Sequence, residues 1–272
     1  MVFCGLILTG DIMINSAFNT VFLPYPDKDD RQVWIYVPQH QENIKLPVVY
    51  MTDGQNLFEN IPTEFGCWNV ISTVEKEQQN GSSGAVIVGI DNGNEFRDNE
   101  LTPKSIGKVI GDNLMNNYSA PEGDIFDSFL MNTVIPYVEQ NYPVKTEREN
   151  VSICGSSSGG LQAFFSGIEH SEKFAFVGAL SPAFLLYDRA DWQKYLLSKI
   201  KAQMPYLYIY TGNGDELEQL IFESVEMMYD LLPEIDYPYD MMNEVILFEN
   251  GHNEKAWCEI FKDFLHTALN LK

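Results

Sequence analysis

Basic residues are scarce in this chain: 17 lysines and arginines stand against 39 aspartates and glutamates, a formal net charge of −22 over 272 residues. So one-sided a surface repels phosphate backbones and anionic lipid, which argues against nucleic acid and membranes as partners and favours neutral or cationic small molecules. Long apolar runs are missing as well. No stretch approaches the roughly 20 residues that a membrane span needs. The apolar opening, Met1 to Ile14, lacks a basic leader region and is interrupted at Asp11, so it reads as a first strand rather than a secretion signal. Cysteine is limited to Cys4, Cys67, Cys154 and Cys258, with no Cys-x-x-Cys pair and no Cys/His cluster. That spacing supports neither a disulfide framework nor a metal site, and a reducing compartment, the cytoplasm, is expected. No predicted strand is followed by Gly-x-Gly-x-x-Gly or Gly-x-x-x-x-Gly-Lys-Ser/Thr, so a bound nucleotide cofactor is not expected.

What is present is an alternation of short apolar runs with longer helix-period segments, the pattern of an α/β protein. Strands are predicted at Thr20 to Leu23, Gln32 to Pro38, Pro47 to Thr52, Ala85 to Ile90, Val151 to Cys154, Phe176 to Leu180, Tyr206 to Tyr210 and Glu244 to Phe248. The first two read as an antiparallel hairpin across the polar turn Pro24 to Asp30. Runs such as Val48-Val49-Tyr50 and Ala85-Val86-Ile87-Val88 are apolar on both faces, as parallel strands covered by helices on both sides must be. Helices are predicted at Val70 to Gln79, Ile125 to Gln140, Leu161 to His170, Ala190 to Lys201, Glu216 to Leu232 and Glu254 to Leu271. In the second, Phe126, Phe129, Leu130, Val134, Ile135 and Val138 form one apolar stripe facing a sheet. No repeat, low-complexity tract or linker divides residues 1–272, which are expected to form one domain. Asn92 to Asp124 is the longest aperiodic stretch, and loops of that length in compact domains usually carry function.

The run Ile153-Cys154-Gly155-Ser156-Ser157-Ser158-Gly159-Gly160 places a serine at the centre of Gly-x-Ser-x-Gly, between a predicted strand and a predicted helix. A chain that reverses sharply there holds the serine strained, with its hydroxyl exposed. A serine needs a base, and the base an acid to hold its tautomer. Of four histidines, His40 precedes the serine, His170 lies a helix length away and His266 falls inside the last helix. His252 sits in the loop Glu249 to Glu254 after a predicted parallel strand, where such sheets place catalytic groups. The acid is expected after the Tyr206 strand, in Gly212-Asn213-Gly214-Asp215-Glu216, with Asp215 preferred and Glu216 the competitor. The alternative for either is an N-terminal acid complementing the next helix dipole. Oxyanion donors are expected from the backbone N–H of Ser158 and, in the loop Asp53-Gly54-Gln55-Asn56, the N–H of Gln55. Trp68 and Tyr118, with Phe65 and Met115, lie in or near loops that could rim a pocket.

These segments together resemble the esterase D family of α/β-hydrolases, the group of enterochelin-type, feruloyl and acetyl-xylan esterases. The resemblance rests on Val48 to Phe58, on Val86 to Asn92 with Arg97 and Glu100, on Gly155 to Gly160, on Leu180-Ser181-Pro182-Ala183-Phe184 and on Gly251 to Trp257. It implies an α/β-hydrolase fold, a mostly parallel twisted sheet of about eight strands with an antiparallel N-terminal hairpin, and a serine ester hydrolase using Ser157, His252 and an acid near Asp215. The implied reaction is two-step acyl transfer to water from small acyl or aryl esters, without a metal or organic cofactor. Acyl transfer to another acceptor, thioester cleavage of the S-formylglutathione hydrolase type and a catalytically silent binding module are the alternatives. Two departures stand out: Ser158 occupies a position where many relatives carry methionine, and Asp215 one where many carry glutamate. Neither the substrate nor the oligomeric state follows from the resemblance.

Overall fold

The computed structural model describes residues 12–110, 118–201 and 203–270. Eight strands form one sheet: β2 (Ala17–Leu23), β3 (Arg31–Val37), β5 (Val48–Met51), β6 (Val86–Ile90), β7 (Val151–Ser156), β8 (Phe176–Leu180), β9 (Tyr206–Thr211) and β10 (Met242–Ile246), in the spatial order β10-β9-β8-β7-β5-β6-β3-β2. The six strands β5 to β10 pair in parallel, whereas β3 pairs antiparallel with both β6 and β2. All eight expected strands are present, and the N-terminal hairpin is antiparallel as its turn chemistry indicated. Two short strands, β1 (Met13–Ile14) and β4 (His40–Gln41), pair with each other beside the sheet. The rest of the expected opening strand lies outside the described residues, as does Cys4.

Period-two alternation sorts the strands' side chains between two apolar layers. Val33, Ile35, Val48, Tyr50, Val151, Ile153, Leu207 and Ile209 face one layer, and Trp34, Tyr36, Val49, Met51, Cys154, Tyr208 and Tyr210 the other. Helices α1 (Val70–Gln79) and α8 (Glu254–Asn270) cover the second face. The opposite face is covered by α3 (Gly123–Phe129), α4 (Ile135–Asn141), α5 (Ser158–Glu169), α6 (Arg189–Lys199) and α7 (Glu216–Glu234). A wide π turn at Leu130–Val134 joins α3 to α4 within the helix expected at Ile125 to Gln140. Fully burying each of the large apolar side chains in these layers contributes about 1.5–3 kcal/mol. The smaller Cys154 is buried in the second layer, a thiol near the end of β7 whose pKa burial pushes up.

The aperiodic stretch from Asn92 folds into a 3₁₀ turn at Asn94–Phe96 and the short helix α2 (Arg97–Glu100). Glu100 is buried between Arg31, whose guanidinium meets it through two nitrogens at 2.8 and 2.9 Å, and Lys28 at 2.8 Å. This ion cluster pins α2 over the antiparallel end of the sheet. Among the described residues no helix is long and apolar enough to cross a membrane.

Candidate active site

The carboxyl ends of β5, β7, β9 and β10 point to one edge of the sheet, and the candidate groups gather there. At the end of β7 the chain turns into α5 through Ser157, whose φ of 58° and ψ of −126° lie outside the regions a side chain prefers. Such backbone costs about 1–3 kcal/mol and is retained where a geometry requires it. Three backbone hydrogen bonds hold it: the Ser157 N–H donates to the Leu180 carbonyl at 2.9 Å, and the Ser157 carbonyl accepts from the N–H groups of Leu161 at 3.0 Å and Ala183 at 3.1 Å. Gly155 is compelled by close approach, because a Cβ there would stand 2.4 Å from the Gly159 carbonyl oxygen and from Thr52 Oγ1.

His252 comes from the loop after β10. Its Nε2 lies 2.9 Å from Ser157 Oγ, and its Nδ1 lies 2.7 Å from an oxygen of Glu218. The Trp257 ring meets the imidazole edge-on, with centroids 4.9 Å apart. Ser157 and His252 are therefore brought together as expected. His40, His170 and His266 instead contact the Pro38 carbonyl, Asp127 and Glu77.

The acid is a correction. Asp215 does not reach the imidazole ring. It caps α7, with Oδ1 accepting the Glu218 N–H at 2.9 Å, while Oδ2 accepts the backbone N–H of His252 at 2.6 Å. Glu216 is exposed at the first position of α7. The carboxylate on His252 Nδ1 belongs to Glu218, one turn further on and completely buried. Its other oxygen, Oε1, accepts from the Ser181 hydroxyl and the Gly212 N–H, both at 2.7 Å, and from Thr211 Oγ1 at 3.2 Å. Burial alone would raise the Glu218 pKa, but the bonds from His252, Gly212 and Ser181 outweigh it and hold the carboxyl below its ordinary value. The signal in the sequence was a charge on the apolar stripe of a helix: Glu218 shares its face with Ile221, Val225, Met228 and Leu232.

The loop after β5 begins at Asp53 in the left-handed region, φ 55°, and enters a 3₁₀ turn at Gly54–Asn56. A Cβ on Gly54 would stand 2.6 Å from the Gly89 backbone, so only glycine lets this loop lie against β6. Arg97 grips Asp53 through Nε at 2.6 Å and a terminal nitrogen at 2.8 Å, and that second nitrogen also reaches the Ser156 carbonyl at 3.4 Å. Burial alone would raise the Asp53 pKa, but the Arg97 charge and hydrogen bonds lower it. One arginine thus ties the Gln55 loop to the strand that delivers Ser157. Sequence reasoning assigned neither Arg97 nor Asp53 a role.

A cavity of about 290 Å³ opens over Ser157 and His252, with Gln55, Phe65, Trp68 and Trp257 in its walls. Trp68 and Phe65 are thus placed at the cavity. Tyr118 is not in its lining: it is buried, with its hydroxyl 3.2 Å from Ser158 Oγ, which also lies 3.2 Å from Asp98 Oδ1. The Ser158 hydroxyl is accordingly locked beneath the elbow rather than adding polarity to the cavity. Met115 lies outside the described residues.

A mostly parallel sheet with helices on both faces, a strained serine at a strand–helix junction and a histidine from the last crossover define an α/β-hydrolase fold. Residues 27–261 match the family described as "Putative esterase", and the chain belongs to that esterase family; it is an esterase-class enzyme. A curated relative, the uncharacterized protein YbbA of Bacillus subtilis (strain 168), is 23% identical over 240 residues, 85% of this chain and 90% of that one. Among solved structures, a ferulic acid esterase aligns with 97% of this chain and 100% of its own at 17% identity and a TM-score of 0.67. An enterochelin esterase from Shigella flexneri aligns with 93% of this chain and 58% of its own at 18% identity and a TM-score of 0.70.

Proposed function

We propose that the chain is a serine carboxylic-ester hydrolase in which Ser157 is the nucleophile, His252 the general base and Glu218 the acid that orients it. The single observation carrying this reading is the unbroken relay from Ser157 Oγ through both ring nitrogens to a buried carboxylate, at 2.9 and 2.7 Å. Nε2 takes the hydroxyl proton as Oγ bonds to the ester carbonyl carbon; Nε2 then returns it to the departing alcohol as the C–O bond breaks, leaving an acyl-enzyme. Water repeats the sequence and releases the acid. The Ser158 N–H, first in α5 and so without a carbonyl partner inside its helix, and the Gln55 N–H are the donors we assign to the oxyanion. Each such donor is worth about 3 kcal/mol in the transition state.

The substrates we assign are small acyl or aryl esters, which suit a cavity of about 290 Å³ walled by Phe65, Trp68 and Trp257. Free thiols at Cys67, Cys154 and Cys258 suit a reducing compartment, and we place the protein in the cytoplasm. The test is Ser157→Ala assayed on p-nitrophenyl acetate, with a fluorophosphonate probe on the unaltered protein. Loss of turnover with an intact fold and labelling at Ser157 are expected. Retained turnover, or an unlabelled Ser157, refutes the assignment.

A further inference from the structure

The cavity over Ser157 holds a carboxylate with no ion-pair partner among the described residues, and this bears on what it binds. Glu254, the first residue of α8, lines it. Its Oε1 accepts one bond, from Asn56 Nδ2 at 3.2 Å, and among the described residues no cationic side chain ion-pairs with it. Burial, with the Asp53 carboxylate, pushes the Glu254 pKa upward against the pull of its own backbone N–H, Arg97 and His252. The cavity's one arginine, Arg97, is already engaged by Asp53 and by Asp98 at 3.1 Å. Glu254 shares the cavity lining with Phe65, Trp68 and Trp257, and aromatic ring faces attract cations.

We propose that Glu254, with the aromatic wall, forms a subsite for an ammonium group, so that the preferred substrates are esters whose acyl part bears a primary amine. This deepens the ester-hydrolase reading and rests on it. A carboxylate-bearing acyl group enters a cavity in which, among the described residues, the arginine is already paired, and is disfavoured. The net charge of −22 acts in the same direction, attracting cations and repelling anions.

The experiment compares matched p-nitrophenyl esters: β-alanine with butyrate and hemisuccinate, and aminohexanoate with heptanoate and hemipimelate. At low salt, kcat/KM for at least one ammonium ester is expected to exceed that of its methyl-ended isostere about tenfold, with the carboxylate-ended ester lower still. The preference should shrink as ionic strength rises. In Glu254→Gln the ratio of ammonium to methyl ester should fall toward one, and in Glu254→Asp it should be partly kept. Equal rates for ammonium and methyl esters at both lengths overturn the subsite, as does a preference undiminished in Glu254→Gln. A readout independent of turnover separates the two readings: hexylammonium, hexanol and hexanoate are titrated against the fluorescence of Trp68 and Trp257. Tighter hexylammonium binding, weakened in Glu254→Gln, supports the subsite even where no ester is cleaved. Ester cleavage with no ammonium preference in either assay sinks the subsite and leaves the hydrolase reading standing.

Discussion

Replacing Glu218 by glutamine tests the acid assignment without disturbing its packing. The carboxylate has two differently occupied oxygens: Oε1 accepts from Gly212 N–H, Ser181 Oγ and Thr211 Oγ1, and Oε2 faces His252 Nδ1. The Gly212 N–H is a backbone donor that cannot reverse, so the amide oxygen of the variant must take the Oε1 side. Its NH₂ then points at Nδ1 and forces that nitrogen to accept. The ring proton moves to Nε2, which can no longer take the proton of Ser157. The partners of Glu218 stay satisfied, but the second amide N–H is a new donor in a fully buried site, so stability should fall by about 1–3 kcal/mol. A wrong tautomer costs on the order of 10³–10⁴ in kcat, about 4–5.5 kcal/mol of barrier. Steady-state hydrolysis of p-nitrophenyl acetate and a thermal melt by circular dichroism, run on the same preparations, separate the two effects. Asp215→Asn is the control. It keeps one of the two side-chain oxygens that accept backbone N–H groups and turns an NH₂ toward the other N–H, costing about 1–2 kcal/mol of stability and roughly tenfold or less in rate. A Glu218→Gln enzyme within tenfold of the parent, or an Asp215→Asn enzyme more impaired than it, refutes the tautomer reasoning.

Two further outcomes are expected. Arg97→Ala strands the buried Asp53 carboxylate; with the arginine 25% exposed, the cost is about 2–3 kcal/mol rather than the full value for a buried pair. The melting temperature should drop by roughly 5–10 °C and kcat at least tenfold as the Gln55 loop loosens, and adding Asp53→Asn should restore part of the stability; an unchanged melt would contradict the pairing. Asp91 is pushed by burial to a pKa of about 6, above the roughly 3.9 of an unfolded chain. The native state therefore holds that proton more tightly, and stability falls as pH rises from about 4 to about 6. Asp91→Asn should melt about 2–3 °C higher at pH 7, a solvent-discounted 1 kcal/mol, and match the parent below pH 4. A gain that persists at pH 3.5 would disprove the linkage.

The sheet was legible because its strands are short apolar runs with few other uses, and because Gly-x-Ser-x-Gly between a strand and a helix has one economical geometry. His252 followed by elimination among four histidines and from its loop after a parallel strand. The carboxylate on His252 was not legible: the expected Asp215 ends the loop after β9, whereas Glu218, which meets the ring, belongs to the first turn of α7. There Asp215 had the same local chemistry as a triad acid while serving as a helix cap, a competition that short-range signals do not resolve. The Asp53–Arg97 pair joins positions 44 residues apart, and no periodicity links them. Nor did any pattern separate Trp68, in the cavity wall, from Tyr118 beneath the elbow; both are buried aromatics in loops.

The start of α7 holds His252 twice, by its main-chain N–H through Asp215 and by its ring through Glu218. Tilt or slide that helix end and the imidazole travels with it, keeping its bearing toward the acid while changing its reach toward Ser157. Residues 215–252 are for this reason one interchangeable part. A graft of the histidine loop alone into a related scaffold would arrive without its clasp, whereas a graft spanning α7, β10 and that loop would bring its own alignment.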